Sequence, residues 1–373
     1  MPPRPPLWLT APSRFAALPH GQARIVLAVL IALLLLSLTV LGVPILTPDE
    51  AVGAGGAGAS RQTDIAVYGS IVDAVAHGED YYRAAADALR TGSYPLRPFL
   101  TFRLPGLAMV QGALPAAVTL ALLYALAAAV AFIWYRRLGE ALASIPARIL
   151  ALFLLAAGML AFVQPALIAF HEIWAGLLVA LSLALRRPGR WVEAAAIACI
   201  AMLIRETAAL YVVLMAAIAF AEGNRREAAG WAAALGVFVV TLAAHAVAVH
   251  GVTGPLDAAS PGWAGMHGFG LFVRAMTLAT GLQLVPMIAA AVLVVLALFG
   301  WASWRDPLGL RAAALFASYA VIISLFARLD TFYWGLLIAP AFLIGLAFVP
   351  DGLRDLWARA LDRRRVRVQR VER

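Results

Sequence analysis

Stretches free of charge alternate along this chain with short charged segments, and most of the stretches are far too long for strands. Ten stand out: Ile25 to Pro48, Leu104 to Tyr135, Ile149 to Phe170, Ile173 to Leu185, Ala194 to Ile204, Thr207 to Ala221, Ala228 to Ala244, Ala275 to Trp304, Ala312 to Ala327 and Thr331 to Pro350. A hydrocarbon core about 30 Å thick takes about 20 helical residues to cross, so the runs predict about ten transmembrane helices in an all-α polytopic fold. Both chain ends then lie on one side.

Only the loop from about Thr47 to Pro105 is long enough to carry structure of its own. Asp64 opens a segment with apolar residues at Ile65, Tyr68, Val72 and Val75, and Gly78 stops it. That spacing is helical. Glu79 and Asp80 begin a second helix with Tyr82, Ala86 and Leu89 on one face, Arg90 in its last turn and Gly92 after it. Two amphipathic helices are expected on the outer surface, followed by a proline-broken, extended stretch from Ser93 to Pro105 that leads into the second span. A second outside loop, from Gly251 to about Phe272, is rich in Gly and Pro.

Composition agrees with the pattern, since 63% of residues are hydrophobic and 13% charged, which excludes a water-soluble enzyme fold. All 29 basic residues are arginine, so Schiff-base and P-loop lysine chemistry is excluded. The single cysteine, Cys199, reads as a small core residue. With the N-terminus cytoplasmic, the inside segments hold 21 arginines against nine carboxylates, and the outside ones eight against eleven. The positive-inside rule therefore sets both termini in the cytoplasm of a bacterial inner membrane. Residues 1–24 are expected as a disordered proline-rich arm, 25–350 as the transmembrane domain, and 351–373 as a basic tail. The net charge of +9 then answers to anionic membrane lipids and not to nucleic acid.

Several runs are too short to cross, and their ends say where charges sit in depth. Counted outward from Arg186, Glu172 is about 21 Å away; Arg205 is about 22 Å from Arg190, Arg328 about 25 Å from Arg311, and His245 about 27 Å from Glu227. Each charge would be costly alone in lipid, so His171, Glu172, Arg205, Glu206, His245, His250, Arg328 and Asp330 are expected to line one shared outward-facing, water-accessible cavity. Arginines at such depth suit a phosphate, which the guanidinium fork binds bidentately. A carboxylate on the loop above suits a general base acting on an incoming hydroxyl.

In these residues the chain resembles the GT-C superfamily of membrane glycosyltransferases. The resemblance rests on Asp64-Ile-Ala-Val-Tyr68 with Gly78-Glu-Asp-Tyr81-Tyr82, and is similar in particular to the family 87, mannosyltransferase-like branch. It implies a polyprenyl-phosphate-linked sugar donor and a lipid or glycan acceptor in the envelope. Asp64 would act as general base in an inverting displacement. Asp49 and Glu50 also resemble an acidic pair of other GT-C branches; they are the alternative base, or ligands for a divalent cation, Mg or Mn. Tyr68, Arg103 and Arg205 join the substrate-binding set, the arginines on the lipid phosphate. The chain departs from the branch at Phe102-Arg103-Leu104-Pro105, His171-Glu172 and Arg205-Glu206-Thr207, which leaves sugar and acceptor open.

The alternative is a glycolipid flippase or transporter that uses the same cavity as a pathway. No zinc motif, Gly-x-Gly-x-x-Gly or Gly-x-Ser-x-Gly occurs.

Overall fold

The computed structural model describes residues 5–44 and 64–361, and within them the chain is helical with no strand. Three isolated bridges, Leu9 with Leu142, Arg97 with Ala259 and Arg187 with Arg190, tie loops together. Helix α1 (His20–Ser37) continues through a 3-10 turn to Gly42, and the amphipathic pair α2 (Asp64–Ala76) and α3 (Tyr81–Thr91) comes next in the described chain. Then follow α4 (Gly106–Ala113), α5 (Ala116–Ala141), α6 (Ile145–Gly158), α7 (His171–Leu185), α8 (Val192–Ile204), α9 (Ala209–Ala221) and α10 (Arg225–Val252). The remainder comprises α11 (Phe269–Ala279), α12 (Met287–Ser303), α13 (Pro307–Phe326), the one-turn α14 (Ala339–Phe342) and α15 (Val349–Ala360).

Four of these are long and apolar enough to cross a membrane: His20–Gly42, Ala116–Ala141, Arg225–Val252 and Pro307–Phe326. A fifth arises if Leu329–Leu337 and Ala339–Ala360, bent by 65° at their junction, count as one. The protein is thus a membrane-embedded helical bundle. Several expected continuous spans are broken. The run Leu104 to Tyr135 is cut at Pro115, which caps α5, and Ala275 to Trp304 is cut by the Gly281–Leu284 turn and Pro286. Proline has no N–H to give and disfavours helix in the residue before it, so each run folds as two pieces. Likewise Ile149 to Phe170 leaves α6 at Gly158 and finishes in two 3-10 turns, Leu160–Val163 and Pro165–Leu167.

Helix α7 is the centre of the bundle. It is apolar all round below its first turn, and every residue from His171 to Ala184 is buried. A helix without a polar face is stable inside a bundle or against lipid, and this one is inside. Small residues let backbones come very close: a Cβ on Gly176 of α7 would lie 2.4 Å from the Leu336 carbonyl oxygen, and one on Gly300 of α12 1.8 Å from that of Gly345. Such backbone contact is how helices pack where burial against lipid gives no hydrophobic gain.

Polar groups gather at the two ends of the bundle. One end holds Arg186, which makes two 2.8 Å bonds to Glu227, with Arg311 on Glu222 and Arg187 on Glu140. The N-terminal arm docks there, contrary to the disorder expected of residues 1–24. The backbone N–H groups of Leu7, Trp8 and Leu9 donate to the Asp351 carboxylate at 2.6, 2.8 and 2.9 Å, and Ser13 N–H donates to Asp355 at 3.0 Å. Asp351 is fully buried in α15 and holds the arm through its backbone, while Leu9 and Phe15 of the arm are buried in the core. Both ends of the described chain therefore lie on one face.

The opposite end carries α2, α3 and the loops. Asp80 caps α3 by accepting from Arg83 N–H at 3.1 Å, and Gly92 follows, as the sequence pattern predicts. Arg90 then bonds Asp257 at 3.0 and 2.9 Å, and Leu96 N–H donates to the Ala258 carbonyl at 2.9 Å, so the two loops at this end form one lid. The Arg90 hydrogen bonds hold the Asp257 carboxyl below the usual range, at about 2.

Candidate functional site

Three breaks in helix meet under this lid. α7 starts at His171, α8 stops at Ile204 so that Arg205 is extended, and Arg103 lies in the turn just before α4. Glu172 is fully buried and accepts from Arg205 Nε at 2.5 Å, while Arg103 Nη2 lies 3.6 Å from the same oxygen. Glu206 closes the quartet through a contact with Arg205 and a 3.8 Å approach to Arg103. Two arginines and two glutamates cancel in charge. That cancellation is what lets four ionised groups sit inside an apolar bundle, since isolated buried charges are prohibitive.

Hydrogen bonding within the quartet is incomplete. Arg103 Nε, Glu172 Oε2 and the Thr207 hydroxyl are buried without a partner, and neither ring nitrogen of His171 makes a hydrogen bond although the Leu104 backbone is adjacent. Buried polar atoms are rarely left so. Tyr68 covers the group from α2: its ring lies 5.6 Å from the Arg103 guanidinium carbon and 5.3 Å from the His171 ring. Phe170 and Tyr333 extend the aromatic wall, edge to face at 5.4 Å. Tyr81 fixes the Arg103 backbone by donating its hydroxyl to that carbonyl at 2.6 Å. Burial pushes the phenols of Tyr68 and Tyr81 well above their ordinary value, so both act as neutral O–H groups.

Asp64 sits in the first turn of α2, where a carboxylate suits the helix N-terminus. It accepts a 2.5 Å hydrogen bond from the Tyr94 hydroxyl. Its charge is felt at Tyr68, Arg103, Arg328 and Tyr333, so it lies within electrostatic reach of Arg103.

The residues expected to share one cavity separate into layers. His171, Glu172, Arg205, Glu206 and Arg103 form the buried quartet and its neighbour, with Tyr68 and Asp64 above. Arg328 and Asp330 pair with each other at the half-exposed rim, and Arg328 reaches the Gly262 carbonyl. His245 is buried but lies beside the quartet, between Tyr82, whose hydroxyl is 3.2 Å from Nδ1, and Phe99. His250, five residues on, is exposed and takes no part. Asp49 and Glu50 fall outside the described residues, as does the divalent-cation role assigned to them. Among the described residues no three His, Cys, Asp or Glu side chains converge as a metal site would need.

Among the described residues the expected cavity residues lie mostly against one another. The space lined by Tyr68, Tyr81, Phe102, Arg103 and His171 is an apolar-walled pocket of about 10 Å³, enough for one water. The charges have collapsed onto each other beneath the lid. Tyr94, Tyr333, Phe170 and Thr207 are site residues that sequence reading missed. Only Thr207, next to Arg205-Glu206, carried a signal.

No protein-family model matches this chain, and neither the curated proteins nor the solved structures contain a match to it.

Proposed function

We propose that this chain is a glycosyltransferase of the GT-C kind, which crosses the membrane about ten times. It would move a sugar from a polyprenyl-phosphate donor to a lipid or glycan acceptor at the outer face. The observation that carries the reading is a carboxylate, Asp64, on a surface helix whose charge reaches Arg103, one of two buried arginines and the one whose Nε has no partner among the described residues. In the reaction an acceptor hydroxyl attacks the anomeric carbon while the bond to the phosphate oxygen breaks, with inversion. Asp64 takes the hydroxyl proton, and the developing phosphate charge falls to Arg103 and Arg205. Tyr94 orients the carboxylate by its hydrogen bond. An incoming phosphodiester would displace Glu206, the more exposed of the two glutamates, from the arginines. The α2 and α3 lid lifts to admit it.

Two features fit an even number of crossings, ten among them. The docked chain ends share a face, as an even count demands, and that face holds Arg137, Arg186, Arg187 and Arg311.

A flippase reading draws on two features, the bend of 65° and the short helices that end at the quartet, since broken helices also line transport pathways. Purified protein in nanodiscs, given polyprenyl-phosphate-linked mannose, glucose or arabinose and total envelope lipid, distinguishes the two. Transfer that Asp64→Asn lacks supports the enzyme; lipid translocation that tolerates Asp64→Asn supports the flippase.

A further inference from the structure

Away from the lid, at the face that holds the chain ends, α1 and α15 diverge and leave a groove of about 600 Å³. That is within the range of ligand sites. One wall is Leu27, Leu30, Ile31 and Leu34 of α1; the other is presented by Leu353 and Trp357 of α15. Helix α15 is amphipathic. Its Asp351, Asp355 and Leu356 face inward, whereas Leu353, Trp357 and Leu361, spaced four residues apart, are 37%, 58% and 53% exposed. An exposed apolar stripe on an otherwise polar helix is the pattern of a helix lying in the membrane interface.

Arg354 lines the groove, and two exposed arginines lie just beyond its lining at one end. Arg24, one turn before Leu27, is exposed and gives Nε to the Ala360 carbonyl at 3.4 Å, and Arg359 is exposed and gives Nε to the Ala16 carbonyl at 2.6 Å. Neither has a carboxylate partner among the described residues. Arg354, by contrast, is engaged by Asp351, Asp355 and the Pro5 carbonyl. From Arg24 the groove runs along α1 to Leu34, into the apolar part of the helix, over about 15 Å.

We propose that this groove is a site for one anionic phospholipid, with an acyl chain between α1 and α15 and its phosphate at Arg24 and Arg359. Its position joins the two ends of the described chain, because the same helix α15 holds the N-terminal arm through Asp351. Occupancy would therefore brace α1 against the bundle. The site is independent of any activity at the lid.

Trp357 provides the readout. Full-length protein is placed in nanodiscs of phosphatidylcholine to which either phosphatidylglycerol or more phosphatidylcholine, brominated in the acyl chains, is added. The Trp357 signal is taken as the difference from Trp357→Phe. Brominated phosphatidylglycerol should quench it at a mole fraction lower by roughly tenfold than brominated phosphatidylcholine. Arg24→Gln with Arg359→Gln should bring the two lipids together, the corresponding Lys pair should keep the preference, and Ala358→Phe, which fills the groove from its exposed rim, should weaken both. Equal quenching by the two lipids in the wild type overturns the proposal, as does a preference that survives the double Gln change. Trp357 shielded from both lipids in a protein that sediments as a dimer also overturns it, in favour of a second copy of the chain.

Discussion

Removing one charge from the buried quartet should be severe, and removing an opposite pair should not. Glu172 is 0% exposed, bonded by Arg205 at 2.5 Å and approached by Arg103 at 3.6 Å. Glu172→Leu leaves two arginines facing Glu206 alone, a net buried charge of one. Arg205→Met leaves one excess negative charge instead. Breaking a buried pair this way costs about 3–5 kcal/mol, a factor of more than about a hundred in the unfolding equilibrium. The double variant leaves Arg103 with Glu206 at 3.8 Å and no net charge. It should lose little more than either single variant, so the coupling energy should reach at least about 2 kcal/mol. Equilibrium unfolding in mixed detergent micelles, followed by tryptophan fluorescence and repeated for all four members of the cycle, measures it. Additive effects within about 0.5 kcal/mol would refute the reasoning, because additivity means the two side chains do not neutralise each other. A stable but donor-blind double variant would further separate folding from phosphate binding.

Other parts of the structure give independent tests. Asp351→Ala should free the three N–H groups of Leu7, Trp8 and Leu9, and hydrogen exchange of that arm should quicken by about tenfold or more while α7 is unchanged. Gly300→Ala should largely abolish folded protein on size exclusion, since its Cβ would meet the Gly345 carbonyl at 1.8 Å; Gly236→Ala, with nothing within 4 Å, should be tolerated or slightly stabilising. The Arg90 and Asp257 link should be pH-dependent in one direction. The folded carboxyl titrates at about 2, below its ordinary value, so its contribution is complete above pH of about 4 and fades as pH falls toward 2. Hydrogen exchange in α3 should rise over that window in the wild type and not in Asp257→Asn.

Much of the outer architecture was legible because its signals are local. Asp64, Gly78, Asp80 and Gly92 mark the two amphipathic helices almost to the residue, since capping and glycine stops act within one turn. Depth counting from the inner arginines also brought Glu172 and Arg205 together, because rise per residue is fixed. Depth does not say whether charges face water or each other, so a cavity was expected where a neutral quartet packs. His245 and His250 were grouped, yet five residues is about 140° round a helix, and only His245 turns inward. The breaks at Pro115 and Pro286 lay unread inside charge-free runs, where absence of charge outweighed the prolines. The docking of the arm was beyond local reasoning altogether, for Leu7 and Asp351 are 344 residues apart.

The central claim is that Asp64 performs chemistry over a phosphate held by Arg103 and Arg205. The most direct test measures donor binding and single-turnover transfer side by side, in nanodiscs, for the wild type and Asp64→Asn with polyprenyl-phosphate-linked sugars. The account predicts unchanged donor affinity and transfer slowed by about a hundredfold or more. Equal transfer by both proteins would contradict it, and so would loss of donor binding with the fold intact.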